Sequence, residues 1–374
     1  MDRQRQVAYF SYSLRQLPGA YGKLDTNRLT LAHFCVQALA LLGVWEDASL
    51  QEAHRLDRAA IIAWIYSLQV PLHGGRNASH AGFTGGRFLG GAFATTDDRP
   101  ASAKDDDDNN SKRELPAAAF HHGHVAMTYT ALCTLRTLGD DLSRVNAAAV
   151  VAALPHLQRT TSDGSFHCIA AGSEHDLRFM YCACCICHML GDWSGMDVEQ
   201  TVACIRACRN PCDGAFGLVP GQEGHGGSTF CAVASLVLLD RLGDVLDAAA
   251  KAALMQWCVG KQAEGGGLQG RPNKAEDTCY SYWIGGTLVL LGYPDLMDHA
   301  RLSRFVLKCQ SKLGGFSKVK GAYPDVLHAY YSLAYLSLSQ DYREEITEAE
   351  RLKPVNCTLG IAQDTAAYFA PLFP

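Results

Sequence analysis

Asp213-Gly214-Ala215-Phe216, followed after a short loop by S-T-F-C-A-V-A-S-L-V-L-L (Ser228 to Leu239), decides how the chain folds. The Asp-Gly pair is a turn signal, because glycine supplies backbone angles that other residues resist. The twelve residues that follow are small or apolar at every helical position. A helix with no polar face has to be surrounded by protein. The unit recurs outward in both directions: Asp163-Gly164-Ser165-Phe166, Gly266-Gly267-Leu268 and Gly314-Gly315-Phe316 repeat the turn at about fifty-residue spacing. Helices apolar nearly all round accompany these turns, in R-F-M-Y-C-A-C-C-I-C-H-M-L (Arg178 to Leu190) and L-H-A-Y-Y-S-L-A-Y-L-S-L (Leu327 to Leu338). G-H-V-A-M-T-Y-T-A-L-C-T-L, from Gly123, has the same character, and Arg28 to Leu42 and Ile61 to Val70 are further apolar helical segments.

Amphipathic helices lie between the apolar ones. In the helix around Ala248, Leu246, Ala250, Ala253, Leu254, Trp257 and Cys258 share one face, with Asp244 as the expected N-cap. Alternating buried and half-buried helices predict an all-α chain folded as a closed double ring, an α/α barrel. With 374 residues the chain exceeds the ~250–300 at which one simple core stops growing, which a repeated unit around a ring accommodates. Residues 1–374 are read as one domain. A polar stretch at about 95–115, containing D-D-D-D-N-N, is expected to be a solvated insertion, because its acids lack the helical spacing of a magnesium-diphosphate motif. An irregular tail is expected from about 341.

Composition narrows the function. The formal net charge of −5 gives no electrostatic reason to expect nucleic acid. No apolar run approaches the ~18 residues of a membrane span. The first residues lack a signal-peptide pattern, and the 15 cysteines follow helical instead of disulfide spacing, so a cytoplasmic location is expected. The C-A-C-C-I-C run from Cys182 is read as core packing, because it shares its helix with Phe179, Ile186 and Leu190.

The chemistry concentrates in G-R-P-N-K-A-E-D-T-C-Y-S-Y-W, Gly270 to Trp283. Arg271 and Lys274 are cations on a loop ahead of a helix N-terminus, a place that favours anions. Asp277 and Cys279 offer two ligands to zinc. His328, one helical turn after Asp325, offers a third and leaves a fourth position open, as catalytic zinc sites do. His124, Arg178, His225, Asp277/Cys279 and Asp325/His328 all fall at or just before the start of an inner helix. If the inner helices run parallel, these ends meet at one mouth of the barrel. Phe34, Trp64, Tyr66, Tyr129, Phe179, Tyr282, Trp283, Tyr330 and Tyr331 are either core or the lining of a cavity for a long apolar ligand.

From Arg28 to Leu338 the sequence resembles the β subunits of protein prenyltransferases, and within that family the type I geranylgeranyl branch. The motifs are G-R-P-N-K-x-x-D-T-C-Y-S-Y-W, P-D-V-L-H-A-Y, G-H-G-G-S-T-F-C, S-E-H-D-L-R-F-M-Y-C-A and G-D-D-L-S-R-V-N. The resemblance implies an α/α toroid of about six helix pairs, with one zinc ion on Asp277, Cys279 and His328. It also implies diphosphate binding by His225, Arg271, Lys274 and Tyr280. A zinc-bound CaaX cysteine would attack the isoprenoid diphosphate, and an obligate α subunit would complete the enzyme. Lys318 stands where farnesyl and Rab enzymes carry a magnesium-placing Asp, so magnesium should not be required. Thr30 matches a small residue at the bottom of the isoprenoid pocket, where the farnesyl enzyme has Trp. Thr30, His124, Ala126 and Phe179 match the pocket for the last CaaX residue, implying Leu or Phe there. Phe34, Arg178 and Tyr331 complete the isoprenoid and peptide pocket, although Tyr331 is the residue type of the farnesyl enzyme. The expected activity is transfer of geranylgeranyl from its diphosphate to CaaX proteins such as Rho-type small GTPases. A farnesyl-type β subunit of relaxed specificity and a non-catalytic prenyl carrier are the alternatives.

Overall fold

The computed structural model describes residues 1–72, 78–87, 121–159, 162–343, 347 and 350–369. The expected acidic insertion lies outside these residues. Twelve of the fifteen α-helices among the described residues build the two rings: α1 Arg3–Arg15, α2 Arg28–Leu41, α3 Arg58–Tyr66, α4 Val125–Thr137, α5 Ala147–Ala153, α6 Leu177–Leu190, α7 Val198–Ala207, α8 Gly226–Leu238, α9 Ala248–Val259, α10 Cys279–Leu291, α11 His299–Lys308 and α12 Val326–Leu338. The even-numbered helices form an inner ring in which each contacts the next in chain order, and α12 returns to α2. The odd-numbered helices form the outer layer. The all-apolar segments are the inner ones: α2 buries twelve of its fourteen residues, whereas α7 buries four of its ten.

The recurrent turns hold the two layers in register. Gln158 with Phe166, Arg209 with Phe216, Gln262 with Leu268 and Gln310 with Phe316 form antiparallel bridges. Phe166, Phe216, Leu268 and Phe316 are fully buried. The turn glycines take left-handed angles, and each abuts the next outer helix. A Cβ on Gly164 would lie 2.6 Å from the carbonyl of Gln200 on α7, and one on Gly266 would lie 2.8 Å from that of Arg301 on α11. A Cβ on Gly314 would lie 2.3 Å from the carbonyl of Arg5, so α1 occupies the outer slot that follows the last repeat. The ring is thereby closed by the chain's own first helix.

A glutamine device reinforces this. The side-chain carbonyl of Gln158 accepts from the N–H of Asp197 (2.8 Å), the N-cap of α7, while its amide donates to the Asp197 carbonyl (3.0 Å). Gln262 makes the same pair of bonds to Asp298 at the start of α11, and Gln69 reaches Asn146 ahead of α5. The N-cap of α9 is Asp247, which accepts from Ala250 (2.8 Å), and not Asp244. Asp244 lies in a short preceding helix, Leu242–Val245, and pairs with Arg241. The fault in the sequence reading is physical: a cap must bond the N–H two or three residues on, and the chain turns again between Asp244 and Ala248.

Described residues beyond Leu338 reach the far end of the barrel. Lys353 N–H donates to Leu41 at the C-terminus of α2, and Ser337 of α12 donates to the Lys353 carbonyl. Val355–Asn356 (β1) then pairs antiparallel with Ile361–Ala362 (β2), forming a hairpin inside the ring. Its tip is held by tyrosines from four inner helices. Tyr129 donates to Leu359 (2.6 Å), Tyr181 to Thr358 (2.8 Å), Tyr282 to Cys357 (3.0 Å) and Tyr330 to Gly360. Gly286, inside α10, leaves room for Cys357, whose sulfur would be 2.8 Å from a Cβ there.

Candidate functional site

Because the inner helices all run the same way around the ring, their N-termini share one mouth, opposite the hairpin. Side chains cap these ends and thereby fix the groups facing the opening. His124 Nδ1 accepts from Ala126 N–H (3.1 Å), Asp176 from Arg178 (2.9 Å) and His225 Nδ1 from Gly227 (3.1 Å). Asp277 Oδ1 accepts from Cys279 N–H (3.0 Å), and Asp325 from that of His328 (3.0 Å). An imidazole that accepts at Nδ1 carries its proton on Nε2. His225 therefore donates through Nε2 to Tyr280 Oη at 3.0 Å, leaving the phenol O–H to be donated onward. Burial, reinforced by Arg271, lowers the pKa of His225, and burial raises that of Tyr280, so the pair is neutral. Gly270 makes the arrangement possible, since a Cβ there would fall 2.0 Å from the Tyr280 ring.

Asp277, Cys279 and His328 present one donor atom each within 4.8 Å of one another, the one such group of three among the described residues. Asp277 and Cys279 are buried, at 4 % and 8 % exposure. His328 Nε2 lies 3.2 Å from Asp277 Oδ1, and its Nδ1 lies 2.6 Å from Asp325 Oδ2. Burial on its own would lower the His328 pKa, but the hydrogen bonds to Asp277 and Asp325 raise it to about 9. Burial also pushes the Cys279 thiol well up, helped by the negative charge of Asp277. A cation placed among the three would reverse both tendencies, binding sulfur as thiolate and imidazole as the neutral ligand. The donor set of one sulfur, one oxygen and one nitrogen fits zinc. Asp325 holds the His328 imidazole by its other nitrogen, as a carboxylate does behind a ligating histidine.

Lys318 reaches the same group from the last turn of the repeat, with Nζ 3.3 Å from Asp277 Oδ2. Its backbone is tied to the Asp277 loop, because Thr278 donates from N–H to the Lys318 carbonyl and from Oγ1 to that of Ser317, both at 3.0 Å. Lys318, Arg271, Lys274, His225, Tyr280 and Asp277 line a polar cavity of about 540 Å³. Arg271 is held there by an ion pair with Glu223, a residue the sequence reading did not single out. No spacing rule marks Glu223; the contact spans two repeats and exists only in the folded ring.

An apolar cavity of about 440 Å³ adjoins it, sharing Leu218 and His225. Thr30, Phe34, Ala126, Arg178, Phe179 and Tyr331 line it, with Trp283, Tyr282, Tyr129 and Gly360. Arg178 is tied to Asp176 (2.7 Å) and Glu174 (3.1 Å), with its guanidinium 5.2 Å from the Phe179 ring centre. His124 is not part of the lining but packs edge-on against Phe179 at 5.9 Å. Thr30 stands in the first turn of α2, near the mouth end of the wall. The sequence reading placed Thr30 at the bottom of the isoprenoid pocket; Thr30 is in the lining of the apolar cavity, as is Gly360 of the C-terminal hairpin. Trp64 and Tyr66 sit on outer helix α3, away from this lining.

A toroid whose mouth joins a thiol-bearing candidate metal site and a cluster of cations to an apolar cavity belongs with enzymes that transfer long lipid chains. The chain is a member of the prenyltransferase α/α-toroid family, whose model matches residues 1–361. It is 38% identical to the geranylgeranyl transferase type-1 subunit beta of Arabidopsis thaliana over 348 residues, covering 91% of this chain and 85% of the relative. The geranylgeranyl transferase type-1 subunit beta of Dictyostelium discoideum is 37% identical over 90% of both chains. The fold also matches the solved structure of Candida albicans protein geranylgeranyltransferase-I complexed with GGPP, with a TM-score of 0.79 at 23% identity, over 100% of this chain and 99% of that one. Among the described residues no helix is long and apolar enough to cross a membrane.

Proposed function

We propose that the chain is the catalytic β subunit of a type I protein geranylgeranyltransferase. It would join a twenty-carbon isoprenoid to the cysteine of a C-terminal CaaX sequence. The observation that carries the reading is the Asp277–Cys279–His328 group, whose Asp277 lines the cation-lined cavity that adjoins the apolar one. Zinc held by these three residues would keep the acceptor thiol as a thiolate near neutral pH. Asp325 fixes the ring of His328 so that Nε2 faces the metal position. The apolar cavity takes the isoprenoid with its diphosphate at the mouth, where Arg271, Lys274 and the Tyr280 hydroxyl receive the phosphate oxygens. Sulfur bonds to the first carbon of the isoprenoid, the carbon–oxygen bond breaks, and diphosphate leaves against this positive field. Lys318, a fixed cation within reach, balances part of the departing charge, so that magnesium is not needed. A cytoplasmic α subunit partner would complete the enzyme.

The test is prenyl transfer by this chain co-expressed with a cognate α subunit, given zinc, no magnesium, both isoprenoid diphosphates and a CaaX peptide ending in Leu. Transfer of the twenty-carbon chain is expected. Transfer restricted to the fifteen-carbon chain, or requiring magnesium, would instead favour a farnesyl-type subunit, in keeping with Tyr331. No transfer would leave a prenyl-binding protein.

A further inference from the structure

The cation-lined cavity has to take a diphosphate and later give one up, yet its wall carries a carboxylate that binding does not call for. Glu223 lines the cavity with Arg271, Lys274 and Lys318, and its Oε1 is ion-paired with the Arg271 guanidinium. The pairing is built into the fold, because the backbone is held on both sides of Glu223. Asn210 Nδ2 donates to the Gln222 carbonyl (3.1 Å), and the Gly224 N–H donates to Asp213 Oδ2 (3.2 Å). A Cβ on Gly224 would lie 2.5 Å from that of Ala215, so this loop is seated directly on the preceding turn. A carboxylate on a backbone fixed this way is delivered to Arg271 across the repeat boundary.

The charges of the cavity are therefore partly spoken for. Lys318 lies 3.3 Å from Asp277, and Arg271 is engaged by Glu223. Among the described residues, Lys274 is the lining cation without a carboxylate partner. Asp277 belongs to the candidate metal group, and an ion held there would take up its charge. Glu223 has no such alternative. Its negative charge stays beside the place of the diphosphate and competes with it for the guanidinium.

We infer that Glu223 is a resident competitor for the diphosphate group, which hastens loss of the product by engaging Arg271. The inference rests on the prenyltransferase reading above and deepens it. Inorganic diphosphate, the leaving group, is held by the cation-lined cavity alone. The isoprenoid diphosphate is held by its apolar chain as well. A weaker head-group site therefore empties of product while the substrate stays bound.

The experiment uses the heterodimer with its α subunit. It measures the inhibition constant of inorganic diphosphate against the twenty-carbon isoprenoid diphosphate, with a Leu-ending CaaX peptide as acceptor. Glu223→Gln keeps a hydrogen-bond acceptor for Arg271 and removes the charge, whereas Glu223→Ala removes both. Glu223 is half exposed, so neither change opens the core. Glu199→Gln is the control, since it neutralises an exposed carboxylate on α7 that is paired with Arg241. Both Glu223 variants should tighten the inhibition about fivefold, the upper range for one exposed charge pair, and the control should leave it unchanged. An inhibition constant equal to wild type in both variants would overturn the inference. Weaker inhibition in Glu223→Ala, with wild-type inhibition in Glu223→Gln, would overturn it too, because Glu223 would then only aim the guanidinium. A wild-type heterodimer that transfers no prenyl group would sink the prenyltransferase reading itself, a result distinct from an active enzyme whose inhibition ignores the substitutions.

Discussion

At the scale of single residues, the site depends on which nitrogen of each imidazole carries a proton. His225 caps α8 through Nδ1 and so points an N–H at Tyr280, whereas His328 has Asp325 at Nδ1 and so frees Nε2 for Asp277's side of the cluster. The same side-chain type is set to opposite tasks by one hydrogen bond each. Asp325 does two things: one oxygen caps α12 and the other holds His328. Asp325→Asn keeps an oxygen for the cap but removes the charge behind the ring. Zinc affinity is expected to fall about 10–100-fold with the fold intact. Competition against a chromophoric chelator measures this, and an unchanged affinity would show that Asp325 serves only as a cap. The candidate ligand trio was legible in the sequence because Asp277 and Cys279 are two apart at a helix start and His328 follows Asp325 by one turn. Glu223 was not legible, because its partner Arg271 lies in the following repeat.

At the scale of elements, each outer helix carries an Asp or Asn cap, and Gln69, Gln158 and Gln262 join three of these caps to the previous repeat by bonding the cap's own backbone. Gln158 is the most buried of these, 6 % exposed, and also donates to Thr201 Oγ1 at 3.0 Å. Gln158→Leu would leave the Asp197 N–H without its acceptor inside the protein, at a cost of about 2 kcal/mol. The expected result is a lower denaturation midpoint with kcat per folded molecule unchanged. A midpoint equal to wild type would mean that the turn glycines alone set the register. The turns were visible as Gly-Gly and Asp-Gly pairs, and the inner helices as runs without a polar face. The glutamines were invisible, because an amide near a helix end has no pattern until its partner repeat is docked.

At the scale of the whole molecule, packing neutralises histidines that an unfolded chain would charge. His33, on inner helix α2, is fully buried beside Thr134, and burial lowers its pKa to about 3; burial holds His124 at about 4. Both values lie below the unfolded value of about 6.5, so the unfolded state binds more protons at acid pH and stability falls as pH drops from 6.5. Between pH 7 and pH 5 each should remove about 2 kcal/mol of stability. Denaturant titrations at the two pH values would measure the loss. His33→Gln should flatten its share, and a slope unchanged by that substitution would contradict the burial argument.

The sequence by itself determined the double ring of helices, the mouth at which the chemistry gathers and the three metal-ligand candidates. It could do so because helical periodicity, turn glycines and short-range ligand spacing are local properties that survive without a fold. Only the tertiary structure decided how the ring closes and where the C-terminal hairpin enters it. α1 and the C-terminal hairpin lie at opposite ends of the chain; α1 is bonded to a residue 309 positions away, and the hairpin tip to tyrosines 30 to 230 positions away. The hairpin has no apolar period to announce it. Its position comes from four tyrosine hydroxyls that need acceptors inside the barrel, and only the closed ring brings those hydroxyls together.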